Sequence, residues 1–259
     1  KDARNKRFEA EIVCIWVSGS ESRALLRKNM SRRWRIRDEN VTTEPVIDRL
    51  LSLRGIVTEE DRKRFLEPDY DRDLHDPFLF SSMEKVMERI RKAKAGGERI
   101  GIFGDFDADG ITSSVLLREG LERAGFPVSV HIPDKHTEGH GLSMLALDFF
   151  SSEGVMLVFT VDCGMMNHAE IAEARVRGMD VIVVDHHHVP ETLPEAFAII
   201  NPKLPGEPYP FKELCGAGTT FKVVQAIYET FLPNEKDQLK WLLDVAAVGT
   251  VADVMPLVG

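Results

Sequence analysis

Gly101-Ile-Phe-Gly-Asp-Phe-Asp-Ala-Asp-Gly-Ile111 decides how this chain is read. An apolar run, Ile100 to Phe103, leads into three acids at alternate positions, Asp105, Asp107 and Asp109, flanked by Gly104 and Gly110. A helical pattern starts at Ile111, so the stretch reads as strand, acidic turn and helix. Carboxylates this crowded repel one another. A fold tolerates them when a cation sits among them or when water solvates each one. A solvated loop is the ordinary reading of an acidic triplet. This triplet sits on the end of an apolar strand, which favours the cation.

The alternation continues outward. Ile111–Ala124 reads as a helix, Val128–Ile132 as a strand, Leu142–Ser151 as a helix and Val155–Val161 as a long strand ending at Asp162. Asn167–Arg177 reads as a helix, Val181–Val184 as a strand ending at Asp185, and Phe197–Ile200 as a short strand. Near-continuous Val/Ile strands between helices predict an α/β fold, a parallel sheet with helices on both faces. After a Pro-rich connection over 203–215, a helix is expected from Thr219 to Phe231 and a last one from Gln238 to Val248.

Three of these strands end in acids. One such Asp is ordinarily a helix cap or turn former. In a parallel sheet, however, the carboxyl ends of the strands share one edge, where ligands bind. Asp105, Asp107, Asp109, Asp162 and Asp185 should therefore converge, together with His186, His187 and His188. Carboxylates with one or two imidazoles suit Mn²⁺ or Mg²⁺ better than structural zinc. More than four carboxylates suggest two ions, and such a pair supports in-line phosphoryl displacement.

A small helical N-terminal region is expected over residues 31–85. Val46, Leu50, Leu51 and Leu53 have helical spacing, Thr58 precedes two acids as a helix cap does, and Pro68 with the polar run Asp69–Asp76 breaks the pattern. A further helix runs from Ser81/Ser82 to Gly96-Gly97. Residues 1–30 form a poorly defined extension. They are part of a basic stretch: residues 1–40 carry 11 Lys/Arg against 6 Asp/Glu, whereas the whole chain has a net charge of −9. No overall basic field announces a nucleic-acid partner. Cys14, Cys163 and Cys215 show neither disulfide nor zinc spacing, and no apolar run reaches transmembrane length. A cytoplasmic protein without a membrane partner is expected.

Four stretches carry a resemblance: Asp105-Phe-Asp-Ala-Asp-Gly110, Val161-Asp-Cys-Gly164, Asp185-His-His187 and Gly249-Thr-Val-Ala-Asp253. In this order they resemble the motifs of the DHH phosphoesterase family. Glu138-Gly-His-Gly-Leu-Ser143, Ile199-Ile-Asn-Pro202, Gly216-Ala-Gly218 and the run from Val248 to Leu257 are similar to its bacterial single-strand-specific exonucleases. The resemblance covers about residues 31–259, with the DHH domain over 86–259.

The resemblance implies two divalent cations, Mn²⁺ or Mg²⁺. Asp105 and Asp107 would hold one, Asp109 and His186 the other with Asp253 beside them, and Asp162 would bridge both. His187 would face the scissile phosphate, Asp185 would orient an imidazole, and water activated by the ions would attack. Lys135, His136 and His140 lie in a loop that would reach the substrate, although the family favours arginine near 135–136 and often tyrosine at 140. Gly216-Ala-Gly218 would either present amides to a phosphate or pack a helix closely. Lys222 reads as solvated and His188 as a surface histidine. The implied substrate is single-stranded nucleic acid, DNA before RNA, digested from the 5′ end in repair and recombination, with a single-strand-binding protein or helicase as partner. Relatives of this kind continue into a second core domain and an OB-type domain, so the chain reads as truncated before both. Alternatives are hydrolysis of oligoribonucleotides or cyclic dinucleotides, or a non-catalytic replication scaffold.

Overall fold

The computed structural model describes residues 45–257. The expected extension over 1–30 and the first part of the lead-in lie outside the described residues. The chain divides into two compact units, residues 1–62 and 63–259. In the first, helix α1 (Val46–Leu53) buries Leu51, and Arg62 Nη1 donates to Asp48 Oδ1 at 2.6 Å. Helix α2 (Glu59–Leu66) starts where the sequence places its cap, with Asp61 N–H donating to Thr58 Oγ1 at 3.0 Å.

The polar run after Pro68 is more ordered than expected. Asp69 accepts hydrogen bonds from the amides of Asp71 and Arg72 and caps a single turn, α3 (Tyr70–Asp73). Asp76 caps a 3₁₀ turn over Pro77–Leu79 in the same way. Acids that look like breakers act here as local acceptors for backbone amides. Helix α4 (Met83–Gly96) stops at Gly97, whose φ of 63° suits a residue without Cβ.

From residue 99 the chain builds strand β1 (Arg99–Gly104), α5 (Ala108–Arg123), β2 (Val128–His131), α6 (Met144–Ser152), β3 (Val155–Val161), α7 (His168–Val176), β4 (Asp180–Val184) and β5 (Ala198–Ile200). Helices α8 (Gly216–Phe231), α9 (Lys236–Leu239) and α10 (Leu243–Ala252) follow. The sheet is parallel throughout, in the order β2-β1-β3-β4-β5. Strand order therefore reverses between β1 and β3, the point at which open parallel sheets bind ligands beyond the carboxyl ends of their strands.

Alternate side chains enter two cores, as the pleat requires. Ile100, Ile102, Leu157, Phe159, Ile182 and Val184 meet α4, α5 and α8 on one face. Phe103, Val158, Val181 and Val183 meet α6 and α7 on the other. Both faces are covered, which is why the strands are near-continuous in Val and Ile. Several helix boundaries differ from expectation: α5 opens at Ala108 rather than Ile111, and the single helix expected from Gln238 to Val248 is instead α9, a 3₁₀ turn over Lys240–Leu242 and α10. Helix α8 opens three residues before Thr219, because Cys215 Sγ accepts from Gly218 N–H and caps it. Helix α10 runs past Val248 to Ala252 and carries the chain to Asp253.

Candidate metal centre

The backbone sets three acids side by side. Asp105 N–H donates to Val161 O on β3, Asp162 N–H to Val184 O on β4, and Asp185 N–H to Ile200 O on β5. Each acid thus adds one rung to the sheet beyond the last residue of its own strand. Three residues far apart in sequence stand at one level of one edge.

The other candidates arrive on helix termini. Asp107 caps α5, its Oδ1 accepting from the amides of Asp109 and Gly110 at 3.0 Å each. That cap starts the helix at Ala108 and brings Asp109 into its first turn. Asp109 is buried and grasped from outside its own helix: Gly216 N–H donates to its Oδ2 at 2.6 Å and Ala217 N–H to its Oδ1 at 2.8 Å. The positive end of α8 therefore faces a carboxylate of the same chain. This corrects the expectation that Gly216 and Gly218 present amides to a phosphate. The Gly216 amide is committed to Asp109 and the Gly218 amide to Cys215 Sγ. The close-packing alternative fits Gly216 but not Gly218. A Cβ on Gly216 would meet Asp162 Oδ1 at 2.5 Å, and one on Gly249 would meet Asp109 Oδ1 at 2.5 Å.

Around these acids the ligand-bearing atoms form overlapping sets. Asp105, Asp107 and Asp162 make one, and Asp109, His186 and Asp253 another, each with its atoms within 4.8 Å of one another. Asp162, His186 and His187 form a third. His186 Nε2 lies 3.2 Å from Asp162 Oδ1 and 3.6 Å from both Asp109 Oδ2 and Asp253 Oδ2. Despite that proximity, buried Asp162 Oδ1 makes no hydrogen bond among the described residues. Asp162 also has φ at 61°, a left-handed conformation that costs a residue with a Cβ about 1 kcal/mol.

The electrostatics follow from this crowding. Burial, and then the charges of Asp109 and Asp107, push the Asp162 carboxyl up to about 10. Burial and the neighbouring His187 hold His186 below its ordinary value, against the pull of Asp109 and Asp253. A buried imidazole kept neutral and ringed by carboxylates is a ligand set rather than a salt bridge. Oxygen-rich donors with one imidazole nitrogen, and a buried carboxylate oxygen lacking a partner, fit Mn²⁺ or Mg²⁺.

Asp185 stands behind the histidines. Its Oδ1 accepts from His186 N–H at 2.7 Å and His187 N–H at 3.0 Å and lies 2.7 Å from His187 Nδ1, while its Oδ2 accepts from Met165 N–H at 3.2 Å. Burial works to raise its pKa, but bonding to His187 outweighs burial and leaves it below the ordinary carboxylate value. The same bond raises His187 to about 9. His187 points outward with its side chain 57% exposed, and His188 is exposed too.

The loop between β2 and α6 supplies the remaining candidates. His140 Nδ1 lies 3.2 Å from Asp105 Oδ2, its ring centroid 4.4 Å from that of Phe106. Lys135 Nζ sits 5.2 Å from the Phe106 centroid. His136 is exposed, with its amide bonded to Asp134. Lys222, expected to be solvated, is 4% exposed and donates to His75 O at 2.7 Å. The sequence motifs include Glu138 and Ser143 without giving either a role, and they miss Asn167. Asn167 clips this loop to the segment after Asp162: Leu142 N–H donates to its Oδ1, and its Nδ2 donates to Leu142 O. Ser143 before an apolar helix was readable as a cap, and its Oγ does accept from Ala146 N–H. The other partners are tertiary and leave no local pattern.

Comparison with known proteins agrees with the geometry. Residues 99–250 match the DHH family, N-terminal domain. The single-stranded-DNA-specific exonuclease RecJ of Bacillus subtilis is 40% identical over 219 residues, covering 85% of this chain and 27% of that protein. A crystal structure of exonuclease RecJ bound to manganese aligns at a TM-score of 0.62 and 35% identity, over 71% of this chain and 46% of that one. RecJ of Thermus thermophilus in complex with Mn²⁺ aligns at 0.62 and 31%, over 81% and 28%. The chain thus spans between a quarter and a half of these relatives' lengths. With a family match over most of the sheet and its acids at the expected edge, the chain belongs to the DHH family.

Proposed function

We propose that this chain bears the catalytic metal centre of a two-metal exonuclease that removes nucleotides from the 5′ end of single-stranded DNA, in the cytoplasm, during repair and recombination. Residues 86–259 would be the DHH domain, and 31–85 a helical lead-in. The single observation carrying the reading is Asp162, a buried carboxylate with an unpartnered oxygen between two sets of metal-ligating groups. The names of the similar proteins support the substrate class. A helicase or single-strand-binding protein would present the free strand.

In this reading Asp105 and Asp107 would hold one cation, Asp109, His186 and Asp253 would hold the other, and Asp162 would serve both. Bound divalent cations supply water activation and neutralise phosphoryl charge. The chain's own residues do the rest. Asp185 fixes the His187 ring through Nδ1 and leaves Nε2 outside that bond. At about 9, His187 is protonated at neutral pH and donates to a phosphoryl oxygen as charge develops there. Lys135 and His140 flank the Asp105 side of the centre and contact the strand.

The test is digestion of 5′-labelled and 3′-labelled single strands in Mn²⁺ and in chelator, beside cyclic di-AMP and pyrophosphate. Expected is release of mononucleotides from the 5′ end, abolished by chelator and by Asp162→Ala. Hydrolysis of cyclic di-AMP alone would replace the substrate class. No cleavage of any phosphodiester would overturn the reading.

A further inference from the structure

The loop that carries Lys135 and His140 spans residues 132–143, is exposed over 134–137 and at His140, and has no strand or helix of its own. One carboxylate gathers it. The Glu138 side chain is 9% exposed, and its two oxygens serve three separate parts of the fold. His131 Nε2, at the end of β2, lies 3.2 and 3.0 Å from Oε1 and Oε2. Asp134 N–H, at the start of the loop, donates to Oε1 at 3.2 Å. Ser143 Oγ, the cap of α6, donates to Oε2 at 2.7 Å. Burial pushes Glu138 up, yet the bonds from Ser143 and His131 outweigh burial and hold it below the ordinary carboxylate value. An ionised carboxylate accepts only, so all three partners must donate, and the proton on His131 is fixed at Nε2.

The other side of His131 is equally constrained. Its ring stacks on Phe103 at 5.8 Å and leans on Phe149 at 5.6 Å, so Glu138 is tied to the sheet itself. At the far end of the loop, His140 touches Asp105 and Phe106. A rigid path therefore runs from β2 through His131 and Glu138 to the ring beside a candidate metal ligand.

We propose that Glu138 is a positioning residue: by joining His131, Asp134 and Ser143 it holds the loop so that His140 and Lys135 stand over the Asp105 side of the metal centre. It touches neither substrate nor cation. The inference rests on the hydrolytic reading for what the loop contacts, but not for how the loop is held.

Glu138→Gln keeps the side chain's size and replaces one acceptor oxygen by an NH₂ group, which meets donors on every side. In the full chain without metal, amide hydrogen exchange over residues 134–143 should accelerate by roughly tenfold or more, since hydrogen bonds to a charged acceptor are lost, while the sheet stays protected. Titration with MnCl₂ should give unchanged stoichiometry and an affinity within about twofold of wild type. On a 5′-labelled strand, KM should rise by roughly tenfold with kcat changing less, as expected when uniform binding is lost. Glu138→Asp, one methylene too short to span the three partners, should behave like Glu138→Gln.

Unchanged exchange in the loop would overturn the proposal. So would acceleration spread evenly over the sheet, which marks a residue of general stability. If the wild-type chain cleaves no strand, the hydrolytic reading fails, and the exchange map still decides whether Glu138 holds the loop.

Discussion

Asp162 has conflicting demands placed on it. Folding wants a buried group to be neutral or paired, whereas the metal reading wants an ionised oxygen left open. Without metal the fold meets the first by holding the carboxyl up to about 10, and it leaves an open oxygen for the second: the residue is 2% exposed, adopts φ at 61°, and has an oxygen without a partner among the described residues. Asparagine has the same shape, tolerates that conformation and removes the charge. Asp162→Asn is therefore expected to stabilise the chelator-treated chain at neutral pH by about 1–4 kcal/mol, because a carboxyl held up to about 10 must take up a proton on folding and an amide need not. Added Mn²⁺ should reverse the order, raising the melting midpoint of wild type and not that of the variant. Melting curves with chelator and with MnCl₂ check this, and a variant less stable under both conditions would refute it. His187 is the contrast. It belongs to one possible ligand set with Asp162 and His186, but its Nδ1 is committed to Asp185 at 2.7 Å and its ring faces outward. His187→Ala should leave Mn²⁺ affinity within about threefold and lower kcat by about 10²–10³, the range for losing one donor at a developing charge. Calorimetry showing a collapse of Mn²⁺ binding would assign His187 to the metal instead.

Helix α8 shows what could and could not be read from individual elements. Its existence was legible, because Phe221, Val224 and Tyr228 repeat at helical spacing and are buried. Its use was not. A glycine pair before a helix admits both phosphate capture and close packing, and only the tertiary structure shows Asp109 occupying the free amides. The acids after β1, β3 and β4 were legible for the opposite reason. One acid after an apolar run is ordinary, but acids after three such runs are not, because a parallel sheet sends all those ends to one rim. Asp253 was placed by its motif alone, since the helix leading to it runs past its expected end. The packing reading gives a graded prediction. Gly216→Ala puts a Cβ 2.5 Å from Asp162 Oδ1, against a side chain fixed by the sheet. It should cost about 1–3 kcal/mol as an overpacked site and weaken Mn²⁺ binding. Gly218→Ala meets Leu214 Cδ2 at 3.1 Å, the far end of a flexible side chain, and should be nearly neutral in both respects. Equal effects of the two substitutions, in melting and in Mn²⁺ titration, would mean that α8 does not shape the centre.

At the scale of the molecule, the sequence indicated a parallel sheet but not its order. Near-continuous Val and Ile runs say that a strand is covered on both faces; they do not say which strand is its neighbour. The order β2-β1-β3-β4-β5 is a matter of tertiary packing, and packing also buries a cation, Lys222, for which the sequence predicts solvent. Lys222 lies on α8, 4% exposed, donating to His75 O at 2.7 Å and to Gln225 Oε1 at 3.0 Å. Its methylene stem fits the apolar side of the helix, and its ammonium reaches a carbonyl across a chain separation no local pattern could reveal. Burial lowers its pKa from 10.5 to about 8. The folded state therefore holds this proton less tightly than the unfolded chain. Below about pH 8 both states are protonated and the buried cation carries its full cost, about 3 kcal/mol at 1.36 kcal/mol per unit. Between about 8 and 10.5 the unfolded chain binds more protons, so this group makes stability rise with pH. In Lys222→Met that contribution vanishes, while the loss of a partner for His75 O is the same at every pH. Urea unfolding at about pH 7 and about pH 10 should show wild type gaining roughly 2–3 kcal/mol relative to Lys222→Met, whatever the two chains do in absolute terms. A pH-independent difference would mean that the ammonium keeps its proton in the fold, and that its bond to His75 compensates for its burial.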